Sequence, residues 1–498
     1  MEIRTRFAPS PTGYLHIGGL RTALYCYAWA KQNKGRFLLR IEDTDRQRLV
    51  EGAIGQITQS LDWAELAPDE GVVGFENGKA IEKGSLGPYI QSERLDLYKL
   101  HAEELLNAGK AYKCWCTPER LDEMRVAQRA AKQTPKYDRA CLHLSEAEKA
   151  SNEGKSYVLR FFVPEGSSVT WDDVVFDKME FDRSQVDDFV MIKADGYPTY
   201  NFANVVDDHL MQITHVVRGQ EFLSSTPKHV IVYQAFGWSV PAMVHVPWIL
   251  GKNKQKLSKR EGDVAVDEYI KKGFLKDALL NYLALLGWSA KDDQDIFSLE
   301  EMIKKFRLED IQKSGAVFDM EKLEWMNSQY IMKLEPEKFL ELAMPFIAEL
   351  IEPSADNFKN LLDGSTLARD RLLAILKTEQ VRTRRLDELP EKIRFFLEPE
   401  LKFDSSIMVW KKMSAEDLPA ILGHAKEALS NLDDWSEEGI QSALQELTKK
   451  LEKKTGEVFW PVRVALSGKE ASPGPQEIGA ALGKEKTLAR IEDAIARL

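Results

Sequence analysis

The sequence of 498 residues is poor in cysteine, has no long apolar run and carries no excess of positive charge. Its four cysteines are too few for a fold held together by many disulfides. No apolar run approaches the roughly 18 residues that a helix needs to cross a bilayer. Residues 1–4 (MEIR) are charged and do not resemble a signal peptide. We therefore expect a cytoplasmic protein with no membrane partner.

The formal net charge of −11 argues against a uniformly basic surface for nucleic acid. Binding depends on where the cations lie, however, and local basic stretches are present. Residues 252–260 hold five cationic side chains. A second cluster, within residues 377–394, comprises Arg382, Arg384, Arg385, Lys392 and Arg394. For this second cluster, a nucleic-acid contact and an ordinary solvated surface are equally compatible with the sequence.

Residues 4–45 read as a strand, a tight loop, a helix and a second strand, and the chain is long enough for roughly three to five domains. The helix is predicted at 18–32, ended by Gly35, and the second strand at 36–41. One buried stripe is predicted for Leu20, Ala23, Leu24, Tyr27 and Ala28. Free backbone N–H groups at the start of such a helix favour phosphate, so we expect a nucleotide site there.

Two motifs resemble a known family. Residues 6–19 (RFAPSPTGYLHIGG) resemble the "HIGH" signature of class I aminoacyl-tRNA synthetases, in the form of the glutamyl branch, and residues 256–260 (KLSKR) resemble the second signature of that class. Further segments similar to the family are 200–209 (YNFANVVDDH), 215–221 (HVVRGQE), 318–327 (FDMEKLEWMN) and 458–466 (VFWPVRVAL). The resemblance covers essentially the whole chain. It implies an α/β fold with a Rossmann-type parallel-sheet catalytic domain, an α+β insert and an all-α C-terminal half.

Local patterns place further elements. Helices are predicted at 49–63 and 92–109, a surface loop at 67–89, and antiparallel strands of the insert at 157–163 and 169–181. Thr226 is predicted to cap a helix that Pro227 opens and Gly237 ends. From about residue 262 to 451 the pattern is wholly helical.

Three of the cysteines belong to one motif. Cys114 and Cys116 are followed, after 24 residues, by Cys141 and His143. Three thiolates and an imidazole would complete a tetrahedral structural zinc site, with unconnected thiols as the alternative. Thr117 and Pro118 predict a helix start between the two pairs. Some bacterial glutamyl-tRNA synthetases carry a similar arrangement, which implies one zinc ion per monomer.

The resemblance implies that glutamate is the substrate, and its charges can be compared with those of the predicted pocket. Desolvating glutamate, with two carboxylates and one ammonium, requires about two cations and one acid. Arg6 and Arg218 are the candidate cations, and Glu42 is the candidate partner of the ammonium. The resemblance adds, as glutamate-binding positions, Ala8, Ser10, Tyr200 and Asn204.

The predicted ATP site has two sides. His16 and the N–H groups near Gly18 and Gly19 can meet the phosphates from one side, and Lys256 and Lys259 from the other. The resemblance implies that Lys259 binds the phosphates in the transition state with Lys256 assisting, and that Glu221 lies near ATP. Gly19 stands where "HIGH" has its second histidine, so only His16 is available from that motif.

The resemblance implies an enzyme that activates glutamate with ATP and Mg²⁺ and passes it to the 2′-hydroxyl of the terminal adenosine of tRNA(Glu), with activation that needs bound tRNA. The alternatives are a glutaminyl-tRNA synthetase, a tRNA-independent nucleotidyltransferase and a zinc-stabilised RNA-binding module. A monomer is expected. The expected domains are a catalytic domain at 1–97 and 190–250, an inserted acceptor-end-binding domain at 98–189, a stem-contact domain at 251–330, and two anticodon-binding parts at 331–400 and 401–498.

Overall fold

The structure is a computed structural model that describes residues 2–257, 265–292, 294–351 and 366–498. The chain divides into two compact units, one of Met1–Tyr269 with Leu279–Asp319 and one of Ile270–Ala278 with Met320–Leu498. The first unit is built around an eight-stranded, largely parallel sheet, and the elements described in the second are all helical. The predicted fold class is confirmed.

One large sheet organises the first unit. The strands are β1 (Arg4–Phe7), β2 (Arg36–Leu39), β3 (Glu70–Glu76), β4 (Lys79–Lys83), β5 (Ala111–Cys114), β6 (Val158–Phe161), β7 (Ser168–Asp173), β8 (Asp177–Asp182), β9 (Val190–Ile192), β10 (His215–Gly219), β11 (Ala242–Val246), β12 (Ile249–Leu250) and β13 (Ala316–Val317). The order in the large sheet is β4-β3-β2-β1-β10-β11-β7-β8, with parallel pairing from β3 to β7 and antiparallel pairing at both edges. Because β1 lies between β2 and β10, the strand order reverses at β1. A crevice is expected there, outside the carboxyl ends of these strands.

The helices before residue 320 flank these strands or connect them. They are α1 (Ile17–Gln32), α2 (Ala53–Trp63), α3 (Leu95–Asn107), α4 (Pro118–Ala130), α5 (Glu146–Ser151), α6 (Tyr200–Leu210), α7 (Thr226–Phe236), α8 (Val266–Lys271), α9 (Lys276–Leu285) and α10 (Leu299–Lys305). As predicted, Thr117 accepts a hydrogen bond at the start of α4, and Gly237 ends α7 in the left-handed conformation.

Helix α1 confirms the predicted stripe except at Tyr27, which is only partly buried. The opposite side of the helix is buried as well, at Tyr25 and Cys26. Gly35 takes part in the helix end as predicted, because its N–H donates to the backbone oxygen of Ala30 at 2.8 Å. It also allows a close approach, because a Cβ on it would lie 2.1 Å from the backbone oxygen of Ile3. A glycine is therefore needed where the chain turns back beside β1.

The prediction of a surface loop at 67–89 is wrong. This segment forms the hairpin of β3 and β4, which extends the edge of the large sheet. Asn77 and Gly78 both have positive φ, 50° and 77°, as a two-residue hairpin turn requires. The Asn-Gly pair was the signal in the sequence that the high glycine content obscured.

The strands expected in the insert belong to two different sheets. β5, β6 and β9 form a three-stranded antiparallel sheet. The alternating segment at 169–181 is the β7–β8 hairpin, and it joins the large sheet through the pairing of Met243 with Asp173. The expectation of a single antiparallel sheet is therefore wrong, because long-range pairing with β11 decides where the hairpin packs.

The second unit packs its described helices around one apolar core, which includes Phe339, Phe396, Leu422 and Val462. The helices are Met320–Met332, Pro336–Ile351, Thr366–Gln380, Leu389–Leu397, Leu418–Ser430, Glu437–Lys450, Thr455–Ser467, Pro475–Leu482 and Lys484–Ala496. No helix in the described chain is long and apolar enough to span a bilayer.

The second basic cluster is paired with carboxylates within this unit. Every one of its cations lies within 4 Å of a carboxylate, in the pairs Arg382–Glu379, Arg384–Glu324, Arg385–Glu324, Lys392–Glu388 and Arg394–Glu391. Pairing of this kind favours the interpretation of the cluster as an ordinary charged surface.

Candidate active site

A cleft of about 830 Å³ opens where the central parallel strands end. Its lining follows β1 at Ala8 and Ser10, β2 at Glu42, β10 at Gly219 and β11 at Pro247. Every predicted glutamate or ATP residue in the described chain lines this cleft: Arg6, Ala8, Ser10, His16, Gly18, Gly19, Glu42, Tyr200, Asn204, Arg218, Glu221 and Lys256. Lys259 lies outside the described residues. The cleft occupies the position where ligands bind in parallel α/β sheets.

His16 is the N-cap of α1. Its Nδ1 accepts a hydrogen bond from the Gly19 N–H at 3.0 Å, so the ring meets the helix N-terminus directly. A Cβ on Gly19 would lie 2.8 Å from Cδ1 of Leu15, which explains why a larger residue does not fit at this position without a shift. The N-terminus of α1 thus faces the cleft with a histidine and small residues, although the Gly19 N–H is already bonded to His16. An anion that binds the Gly19 N–H must therefore displace His16 Nδ1 from it.

Lys256 is paired with an acid across the cleft mouth. Its Nζ donates to Oε1 of Glu221 at 2.9 Å, and the Trp248 indole N–H donates to Oε2 at 3.2 Å. Although burial opposes ionisation, the hydrogen bond from Lys256 lowers the pKa of Glu221 below its usual range. The two residues predicted to contact ATP therefore form one charged pair.

Arg6, one of the two predicted substrate cations, is already neutralised. Its Nε and Nη2 donate to both carboxylate oxygens of Asp208, at 2.9 and 3.1 Å. Arg40 donates to the same carboxylate at 2.7 Å and to Oε1 of Glu42 at 2.9 Å. All of these side chains are buried. Sequence analysis did not identify Asp208 or Arg40. The available signal was a charged residue within an otherwise apolar helix or strand, which needs a partner of opposite charge when it is buried.

Arg218, the other predicted cation, has only neutral partners. The residue is 5% exposed. Its guanidinium donates to Nε2 of His245 at 3.1 Å, to Nδ1 of His229 at 2.9 Å, to the Tyr200 hydroxyl at 3.1 Å and to Oγ1 of Thr226 at 2.9 Å. No carboxylate in the described chain pairs with it. A buried cation without a counter-ion is costly unless a bound anion completes the site.

Thr226 is the first residue of α7 and does not cap it, so that prediction is wrong. Ser225 occupies the N-cap and makes no capping hydrogen bond. The Thr226 hydroxyl instead accepts from Arg218 and donates to the backbone oxygen of Phe222 at 3.1 Å. The Thr226 hydroxyl therefore binds Arg218 and does not cap the start of α7.

Glu42, the residue predicted to take the ammonium, lies beside Asn204. Asn204 donates to Oε1 of Glu42 at 3.2 Å, on the same oxygen that Arg40 contacts. Burial raises the pKa of Glu42, and the neighbouring Arg40 opposes that rise. Oε2 accepts no hydrogen bond from the described residues, so it remains available to a cationic ligand.

Comparison with models of known protein families shows the family to which the chain belongs. The model "tRNA synthetases class I (E and Q), catalytic domain" matches residues 2–325, which is more than half of the chain. The chain belongs to this family. A second model, "Anticodon binding domain", matches residues 338–495.

Relatives of this class I synthetase match over its whole length. The glutamate–tRNA ligase of Clostridioides difficile (strain 630) is 44% identical over 496 residues, covering 99% of this chain and 98% of the relative. That of Clostridium tetani is 45% identical and covers 100% of this chain and 98% of the relative. The crystal structure of a glutamate tRNA ligase from Elizabethkingia meningosepticum in complex with its amino acid has a TM-score of 0.87 at 35% identity, with 100% of both chains covered.

The cysteine motif of the synthetase is brought together in part. The sulfur atoms of Cys114, Cys116 and Cys141 lie within 4.8 Å of one another. The Tyr137 hydroxyl lies 3.3 Å from the sulfurs of both Cys114 and Cys116. His143 is exposed and is not part of this group, because the short helical turn at Ala140–Leu142 carries it outward. The fourth predicted ligand is thus not placed with the thiols, and sequence spacing missed Tyr137.

Proposed function

We propose that the protein is a glutamate–tRNA ligase. It activates L-glutamate with ATP to glutamyl-adenylate and pyrophosphate, then transfers the acyl group to the 2′-hydroxyl of the terminal adenosine of tRNA(Glu). The observation that carries the choice of glutamate is the buried Arg218, which meets only neutral groups in the cleft. The printed names of the full-length relatives support the same choice.

Glutamate is held by charge at both ends. Arg218 and the Tyr200 hydroxyl meet the side-chain carboxylate, and Oε2 of Glu42 takes the ammonium beside Asn204. Ala8 and Ser10, which follow β1, line the same cleft and complete the amino-acid site. Because Asp208 already neutralises Arg6, we assign Arg6 mainly to holding the pocket wall, with contact to the substrate second.

ATP, with Mg²⁺ on its phosphates, lies along the start of α1. His16 and the N–H groups near Gly18 and Gly19 bind phosphate on one side, while Glu221, Lys256 and Lys259 complete the ATP site on the other. Because Lys256 is paired with Glu221, a phosphate that recruits Lys256 must compete with this carboxylate. Activation then depends on placing the glutamate carboxylate in line with the α-phosphate and neutralising the departing pyrophosphate.

Replacing Lys259 with alanine should slow activation more than it weakens glutamate binding. The ammonium contact strengthens as charge develops on pyrophosphate, so we expect kcat to fall about a hundredfold while KM for glutamate changes by no more than about twofold. Lys254→Ala, an exposed lysine of the same basic stretch, is the matched control. Tested in tRNA-dependent pyrophosphate exchange, equal rates for the Lys259 variant and the parent protein would refute the assignment.

tRNA is the second substrate, and the domain limits predicted above remain part of the proposal. The insert at 98–189 receives the acceptor end, residues 251–330 contact the stem, and 331–400 and 401–498 bind the anticodon. The match of residues 338–495 to an anticodon-binding model supports the last assignment. We propose a monomer that acts in the cytoplasm, where tRNA is charged.

We also propose one structural Zn²⁺ held by Cys114, Cys116 and Cys141. The donor set fits zinc, since three sulfurs cluster together and a phenolic oxygen lies against two of them. Tyr137 is therefore assigned as the fourth donor in place of His143. Bound zinc would tie the β5 end to the turn at Ala140–Leu142, away from the reacting groups.

Metal analysis of single variants tests the zinc site. The parent protein is expected to contain one zinc per chain, Cys141→Ser to lose most of it, and Tyr137→Phe to bind it more weakly. His143→Ala is the matched control and should retain zinc. Zinc-free parent protein, or loss of zinc from the His143 variant to the extent seen for Cys141→Ser, would contradict the proposed ligands.

Aminoacylation with purified tRNAs separates the candidate functions. Glutamate and glutamine are offered in parallel with tRNA(Glu) and tRNA(Gln). A glutamate–tRNA ligase charges tRNA(Glu) with glutamate and uses glutamine poorly. Preference for glutamine would identify a glutaminyl enzyme, and adenylate formation without any tRNA product would identify a tRNA-independent nucleotidyltransferase.

A further inference from the structure

We propose that Asp173, His245 and His229 are positioning residues that make the end of the glutamate pocket a set of hydrogen-bond donors only, and so reject an amide. The proposal rests on the function assigned above and names residues that act through Arg218. Both rings are buried, and both lie against the guanidinium.

The tautomer of His245 is set by a carboxylate from the β7–β8 hairpin. Oδ2 of Asp173 lies 2.5 Å from Nδ1 of His245, and a carboxylate only accepts hydrogen bonds. Nδ1 therefore carries the proton, and Nε2 offers its lone pair to the Arg218 Nε–H at 3.1 Å. The ring works as an acceptor toward the arginine because the aspartate holds its proton on the other side.

His229 is arranged in the same way on the other side of the guanidinium. Its Nε2 lies 3.1 Å from Oδ1 of Asn201, so this nitrogen donates and Nδ1 accepts from the Arg218 Nη1–H at 2.9 Å. Burial, and next the charge of Arg218, lowers the pKa of His229 well below its usual range, in agreement with a neutral ring. Two neutral imidazoles thus hold one cation.

This arrangement leaves free donors on two residues that line the cleft, Arg218 and Tyr200. A guanidinium has five N–H groups, and four are used by His245, His229, Tyr200 and Thr226, which leaves one on Nη2. The Tyr200 hydroxyl accepts from Arg218, and no described residue accepts its own proton. A carboxylate can take both free donors. The amide NH₂ of glutamine would find neither histidine lone pair free, because Arg218 occupies both, and the Tyr200 hydroxyl could accept from it only by turning its own proton away.

The isosteric change Asp173→Asn tests this mechanism without creating a cavity. Oδ1 of Asp173 accepts from the N–H groups of Val175 and Phe176, at 3.1 and 3.0 Å. These two donors hold the amide oxygen of asparagine at the Oδ1 position, so its NH₂ faces Nδ1 of His245. Nδ1 must then accept, so Nε2 carries the proton and can no longer accept from the Nε–H of Arg218. The Nε2–H is left to donate to Oγ1 of Thr226, which lies 3.1 Å away, and the guanidinium loses one of its four acceptors.

For Asp173→Asn we expect KM for glutamate to rise about tenfold, with KM for ATP changed by no more than about twofold and a lower ratio of glutamate to glutamine kcat/KM. Asp172→Asn, at the exposed neighbouring position of β7, is the matched control and should behave as the parent. Parallel changes in both KM values, or equal behaviour of the two asparagine variants, would overturn the proposal. Failure of the parent protein to charge glutamate would instead refute the proposed function.

A second pair of variants gives an independent readout should Asp173→Asn fold poorly. His229→Asn keeps an acceptor close to the position of Nδ1, whereas His229→Leu removes it at similar volume. The asparagine variant should retain most of the glutamate selectivity that the leucine variant loses. Equal loss in both, at equal melting temperatures, would show that His229 only fills space.

Discussion

Replacing Arg218 with leucine should lower kcat/KM for glutamate by a factor of about one hundred or more, while the value for glutamine changes little. A buried, charge-assisted pair costs about 3–5 kcal/mol to break, and this pair forms only with an acid. Because the described chain supplies Arg218 with no carboxylate, we infer that the substrate carboxylate is the counter-ion that completes the site. Parallel aminoacylation with both amino acids measures the change.

The control for this variant is Arg36→Leu, an exposed arginine at the start of β2, at the opposite end of that strand from Glu42. It should leave both substrates as in the parent. If the Arg218 variant loses glutamate and glutamine activity equally, Arg218 serves the shared α-carboxylate or the fold. Discrimination would then have to be sought at Arg6.

Replacing Asp208 with asparagine should destabilise the first unit by about 3–5 kcal/mol, because it leaves Arg6 and Arg40 buried without the carboxylate that joins them. Urea unfolding followed by a probe in the first unit measures the loss. Asp122→Asn is the control, since its pair with Arg125 is exposed and should contribute no more than about 1 kcal/mol. An Asp208 variant as stable as the control would show that the cluster is not needed for the fold.

Asp208 also makes the free energy of unfolding depend on pH, and the direction of that dependence follows from its pKa. Burial opposes ionisation, yet Arg6 and Arg40 together lower the pKa of Asp208 below its usual range. The folded protein therefore binds this proton less readily than the unfolded chain. The stabilisation is fully present above about pH 4, the unfolded value, and is lost as the pH falls through the folded pKa. Asp208→Asn should reduce the acid sensitivity of unfolding.

Local rules predicted the elements whose causes lie close in sequence. The stripe from Leu20 to Ala28 predicted α1, the Thr117-Pro118 pair predicted the start of α4, and Gly237 predicted the end of α7. The first signature motif follows the central strand β1 and supplies Ala8, Ser10, His16, Gly18 and Gly19 to the cleft lining.

What was missed depends on pairings far apart in the chain. The β7–β8 hairpin joins the large sheet only because Met243 lies beside Asp173, and spacing within 169–181 carries no information about that partner. His143 is separated from the thiols by a single helical turn, which the C-x-H spacing does not reveal. His229 and His245 gain their role from contact with Arg218, which no local pattern contains.

The measurement that bears most directly on the choice of substrate is the ratio of kcat/KM for glutamate to that for glutamine, with the unaltered protein and purified tRNA(Glu). A pocket end that holds a buried guanidinium and offers only donors should favour glutamate by a factor of about one hundred or more. A ratio near one, or a preference for glutamine, would contradict the assignment of Arg218 as the group that selects the acid.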